Sequence, residues 1–148
     1  MTTTFEDEAR AALAAKGDAE RQLAAAATCP PWRHAAFAAI MAVIVTSPAV
    51  PLPARLLLIV GTLLAMAVIV RSDRKRMGMF VNGYRRGKTL FVSFAMLAID
   101  LSLYAYNVWT IEEGGSTGMI LAVGALAFVV SAIGSVIWQR VFARELGA

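Results

Sequence analysis

From Gly118 to Gln139 the chain runs for more than 20 residues without a charged side chain. In water such a stretch would need burial on every side, whereas about 20 apolar residues of α-helix is what a bilayer core requires. Three further apolar stretches precede it, at about 33–50, 53–70 and 89–111. Hydrophobic residues make up 59% of the chain, against roughly 45 to 50% in soluble domains. The sequence therefore predicts an all-α integral membrane bundle of four transmembrane helices, residues 32–148, preceded by a cytoplasmic N-terminal helix and linker, residues 1–31.

Half of the fourteen Lys and Arg residues fall between the second and third stretches, in RSDRKRMGMFVNGYRRGK at 71–88, with Asp73 as the one acid. A basic loop between two spans orients a protein with that loop in the cytoplasm. With both termini on the same side, the cytoplasmic face receives thirteen Lys and Arg and the opposite face only Arg55. Trp32 and Trp138 then fall at the inner interface and Trp109 at the outer one, as interfacial aromatics should. Arginine outnumbers lysine eleven to three, a bias expected of a GC-rich bacterial genome, so the expected location is a bacterial inner membrane. The net charge of +4 has this topological cause, and nucleic acid is not an expected partner.

The leader carries Thr3 or Thr4 three residues before Glu6 or Asp7, which predicts a capping box and a helix over about 5–27. Its large hydrophobes are only Phe5, Leu13 and Leu23, interrupted at Gly17-Asp18. Such a helix binds a membrane surface poorly; it is either a solvated tail or a docking helix for a partner protein. It is acidic rather than short and basic, so no secretory signal is expected. The link PAVPLPA closes stretches one and two into a tight hairpin. Arg55 and Arg71 bracket fifteen apolar residues, which predicts that both snorkel toward headgroups. The second helix is expected to continue through Arg76 to a C-cap at Gly78, and Asn82-Gly83 predicts a compact turn or small β-hairpin.

Asp100 stands near the middle of the third stretch, where a charge costs from about 2.5 to more than 10 kcal/mol. Ser93, Asp100, Tyr104 and Asn107 follow one another at helical spacing and form a polar stripe. No Lys or Arg shares this depth, so the carboxyl is expected to spend much of its time as the neutral acid, with Thr62 of the second helix taking its proton in a hydrogen bond. Two uses compete: interhelical glue, or a proton- or cation-coupled transport site. Small residues provide close-packing faces at Gly61 and Ala65, on the first helix at Ala35, Ala38, Ala39 and Ala42, and along Gly124, Ala127, Ser131, Gly134 and Ser135.

The basic loop has a second possible use beyond topology. Arg71, Arg74, Lys75 and Arg76 on one arm and Arg85, Arg86 and Lys88 on the other can close on the phosphate of an anionic phospholipid, or on an acidic partner surface. One cysteine, Cys29, and one histidine, His34, exclude a disulfide and a Cys-rich metal site; both are expected to be incidental. No P-loop, HExxH, GxSxG or CxxC is present, so no enzyme, metal or cofactor is expected. The functional expectation is an accessory or assembly subunit of a larger membrane complex, or a homo-oligomeric scaffold.

Overall fold

The computed structural model describes residues 2–26, 29–77 and 87–145, and these are all-helical. Five α-helices follow in order: α1 Thr2–Ala26, α2 Pro31–Thr46, α3 Leu52–Met77, α4 Lys88–Glu112 and α5 Thr117–Glu145. A short 3₁₀ turn, Ser47–Ala49, lies between α2 and α3. The Asn82-Gly83 turn and the Gly78 cap lie outside the described residues.

Helices α3, α4 and α5 are each long and apolar enough to cross a membrane. Helix α2 is shorter, at 16 residues. Proline sets both of its ends: Pro31 occupies the first turn, where its missing N–H costs nothing, and Pro48 supplies no donor to the carbonyl of Ile44 four residues back. The chain therefore tightens into 3₁₀ geometry after Thr46. Ser47 compensates at this break, its hydroxyl donating to the Ile44 carbonyl at 2.8 Å.

Contacts across the bundle fix its topology. Thr46 meets Gly124 and His34 meets Ser135, so α2 and α5 are antiparallel. Asp100 meets Ser131 and Thr89 meets Glu145, so α4 and α5 are antiparallel too. Helix α2 packs most extensively on α5, and α4 completes this three-helix unit. Helix α3 leans on α2, with smaller contacts to α1 and the 3₁₀ turn, and leaves most of its apolar surface uncovered: Leu57, Leu63, Leu64 and Val68 are all exposed. Its apolar residues point to nearly every side, which suits lipid rather than water.

The core is correspondingly thin. Val45, Val123 and Ala127 are buried together, with Leu103 and Tyr104 packed against them. Gly124 lets this layer close, since a Cβ there would lie 2.5 Å from the Thr46 methyl. Helix α4 ends in a Schellman motif: Gly114, at φ 74°, donates to the Ile111 carbonyl at 3.1 Å and Gly115 to that of Thr110 at 2.8 Å.

Helix α1 continues unbroken through Gly17-Asp18 and already includes Thr3 and Thr4, so the helix starts ahead of the expected capping box. Phe5 and Leu13 are exposed, and the ion pairs Arg10–Asp7 and Arg21–Asp18 lie on the helix surface.

Candidate functional site: a polar seam among three helices

The buried polar side chains concentrate where α2, α4 and α5 meet. Asp100 is 4% exposed and Ser131 fully buried; the Ser131 hydroxyl lies 3.1 and 3.2 Å from the two carboxyl oxygens. Ser131 thus takes the place expected of Thr62. The Thr62 hydroxyl instead donates to the Ile59 carbonyl of its own helix at 2.8 Å, because α3 packs on α2 and not on the face of α4 that carries Asp100.

Two turns further along α4, Asn107 is fully buried. Its amide nitrogen donates to the Val45 carbonyl at 2.8 Å, while its own Oδ1 accepts nothing from the protein. Tyr104, between them on the stripe, is half-buried beside the Val45–Val123–Ala127 layer. Ser93 turns back onto its own helix, donating to the Thr89 carbonyl at 3.1 Å. The predicted stripe is therefore divided: Asp100 and Asn107 reach other helices, and Ser93 does not.

Toward the other end of the seam, His34 Nδ1 and Ser135 Oγ are 2.8 Å apart. Ser135 follows Ser131 by one turn of α5, and Gln139 follows by another, its side-chain oxygen buried without a hydrogen-bonding partner in the protein. His34 is thus tied into the seam rather than incidental. Its four-residue phase with Ala38 on α2 was visible in the sequence, but its α5 partner was not.

The bundle end nearest the basic segment is closed by two polar contacts. Arg33 binds Asp73 at 2.6 and 2.7 Å, with the Asp73 side chain 11% exposed. Each charge stands at the wrong helix end for the helix dipole, Arg33 at the start of α2 and Asp73 late in α3, so their mutual attraction holds them there. Glu145, in the last turn of α5, accepts from the Lys88 backbone N–H and lies 3.4 Å from the Thr89 hydroxyl. A carboxylate from one helix thereby caps the positive end of another.

Arg71, Arg74, Lys75 and Lys88 are exposed around this end. Arg85, Arg86 and the side chain of Arg76 lie outside the described residues. The opposite end holds Arg55, whose guanidinium folds back to donate to the carbonyls of Ser47 and Pro48 at 3.2 and 2.8 Å. It serves as a C-cap for the 3₁₀ region rather than extending away from it.

The small-residue faces also divide. Gly124, Ala127, Ser131 and Gly134 are all buried, and a Cβ on Gly134 would press on Met96. Gly61 and Ala65 are exposed instead, lining an open apolar groove of about 280 Å³ with Ala39, Val43, Leu57 and Thr62. Nothing stands within 4 Å of a Cβ on Gly61. Among the described residues no group of His, Cys, Asp and Glu is arranged to hold a metal ion. Comparison of the chain with family models, with curated proteins and with solved structures finds no match.

Proposed function

We propose that this chain is a non-catalytic, multi-pass membrane protein that acts as an accessory or assembly subunit, or as a homo-oligomeric scaffold. In this reading α2 and its 3₁₀ extension form a fourth crossing, since together they rise about 30 Å. Both termini and the basic segment then face the cytoplasm, and the bundle sits in a bacterial inner membrane.

The observation that carries the reading is the pairing of Asp100 with Ser131 inside one chain. The one acid at mid-bundle holds α4 to α5, which is a structural task. The uncovered α3, with its Gly61–Ala65 face, and the exposed leader helix leave surfaces for another subunit. Arg71, Arg74, Lys75 and Lys88 supply charge for anionic phospholipid headgroups or an acidic partner surface.

Native mass spectrometry of the chain extracted from its own membranes in mild detergent tests this. Co-extraction with other membrane subunits, or a homo-oligomer retaining anionic lipid, is the expected result. A lipid-free monomer in every mild detergent would overturn it. Replacing Arg74, Arg76, Arg85 and Arg86 with Gln should reduce the lipid retained; unchanged retention would leave those charges as a topology signal alone.

A further inference from the structure

The polar side chains of α5 fall on one face at successive turns, and each of the first two meets a titratable group from another helix. Ser131 meets Asp100 of α4, and Ser135 meets His34 of α2. Ser131 and Ser135 are one helical turn apart, about 6 Å along the axis, too far for a direct hydrogen bond, so bridging water must join the two hydroxyls. His34 lies in the first turns of α2 and is half-buried, at the bundle end where Arg33 pairs with Asp73 and Glu145 caps α4.

In the other direction from Asp100 the seam changes character. Val45, Val123 and Ala127 form an apolar layer, and beyond it the Asn107 amide is committed to the Val45 carbonyl. The hydroxyls and the imidazole on one side of this carboxyl, against an apolar layer on the other, make that side its polar approach.

We propose that Asp100 is a proton-binding site in the middle of the bundle, filled and emptied through Ser131, Ser135 and His34 from the end that carries the basic segment. His34 takes a proton on its ring nitrogen and passes it to Ser135. Ser135, the bridging water and Ser131 each accept a proton on a lone pair as they release their own toward Asp100, so the net change in protonation is at the terminal carboxylate. The route runs in reverse to empty the site. The charged groups around its mouth are Arg33 and Asp73, which pair with each other, Glu145, which caps the start of α4, and the exposed Arg71, Arg74, Lys75, Lys88, Arg140 and Arg144. The proposal goes beyond the assembly reading without replacing it: Asp100 holds Ser131 whether ionised or neutral, so the α4–α5 contact and proton exchange coexist, and a subunit with this route exchanges a proton whatever its partners are.

The test is infrared spectroscopy of the full chain in lipid during a switch from H₂O to D₂O, following the carbonyl band of a protonated carboxyl. Asp100→Asn should remove that band, which assigns it. In the parent protein the band should shift promptly in D₂O. His34→Gln and Ser135→Ala should each slow the shift at least about tenfold, as removal of a positioned proton-transfer group does, and Ser135→Thr should keep the parent rate. Ser102→Ala, which removes an exposed hydroxyl that donates to the Ala98 carbonyl of its own helix, should leave the rate unchanged. Misfolding opens a bundle and speeds exchange, so slowing cannot arise from a damaged fold. A band absent from the parent protein, parent-like rates in His34→Gln and Ser135→Ala, or equal slowing in Ser102→Ala would each overturn the proposal.

Discussion

The side-chain amide of Asn107 donates to the main-chain carbonyl of Val45 at 2.8 Å, joining positions 62 residues apart. That carbonyl needs a donor because Pro48, three residues on, has no N–H to close a 3₁₀ turn onto it. A side chain of α4 thus repairs a break that proline makes in α2, and in doing so locks the two helices in register.

Asn107→Ala should therefore cost about 1 to 3 kcal/mol, the penalty for leaving a buried carbonyl unpaired. Asn107→Asp should cost more, since it replaces the donor with a second acceptor and buries a charge. Reversible unfolding in mixed micelles reads both. An Asp variant as stable as the parent would show that this hydrogen bond is not what fixes the register.

Across the α4–α5 contact, Ser131→Ala should lose about 1 kcal/mol, in the range measured for interhelical hydrogen bonds in membranes. Asp100→Asn keeps a hydrogen-bonding group of the same shape and should be milder than Asp100→Leu. The double variant Ser131→Ala/Asp100→Asn separates the pairwise contribution from the two single effects. Strict additivity of the two would count against a direct Ser131–Asp100 contact.

Glycines on the two small-residue faces should behave oppositely. Gly124→Ala drives a Cβ into a β-branched Thr46 whose hydroxyl is held by the Ala42 carbonyl at 2.8 Å, and should cost about 1 to 3 kcal/mol. Gly134→Ala meets Met96 from Cγ to Cε, an unbranched side chain that can turn away as Thr46 cannot, and should cost less. Gly61→Ala meets nothing within 4 Å and should leave the monomer unchanged or stabilise it by up to about 1 kcal/mol through helix propensity. Thermal unfolding of the three variants in one detergent gives the order directly.

Removing the carboxylate that caps α4 should loosen that helix locally. Glu145→Ala is expected to cost about 1 kcal/mol, as loss of a helix cap does, and to speed hydrogen exchange over Lys88–Phe91. Glu145→Gln retains an acceptor and should recover part of the protection. Equal exchange in all three proteins would mean that water caps this helix end equally well.

The apolar stretches, their order and the basic segment between them were legible in the sequence because length, hydropathy and charge are local properties. Asp100 and Asn107 could be singled out for the same reason: polar groups in an apolar run need partners wherever the run goes. The partners themselves were not legible. Ser131 was readable as a small packing residue, and Thr62 sat at the expected depth for Asp100, because depth along a helix can be counted from sequence but rotation about its axis cannot.

What the sequence alone determined is an all-helical chain with segments long and apolar enough to cross a membrane and a cluster of basic residues between two of them. Only the tertiary structure decided that α2 lies against both α4 and α5 while α3 stays at the side. That choice sets which polar residues share a seam, drawing His34 and Ser135 into it and leaving Gly61 and Ala65 outside. The physical reason is that apolar periodicity is weak on helices whose packed and exposed faces are both apolar, as those of α3, α4 and α5 are. The fit of Thr46 into Gly124 and the need of each buried polar group for one specific partner select the arrangement, and those are pairwise properties of residues far apart in the chain.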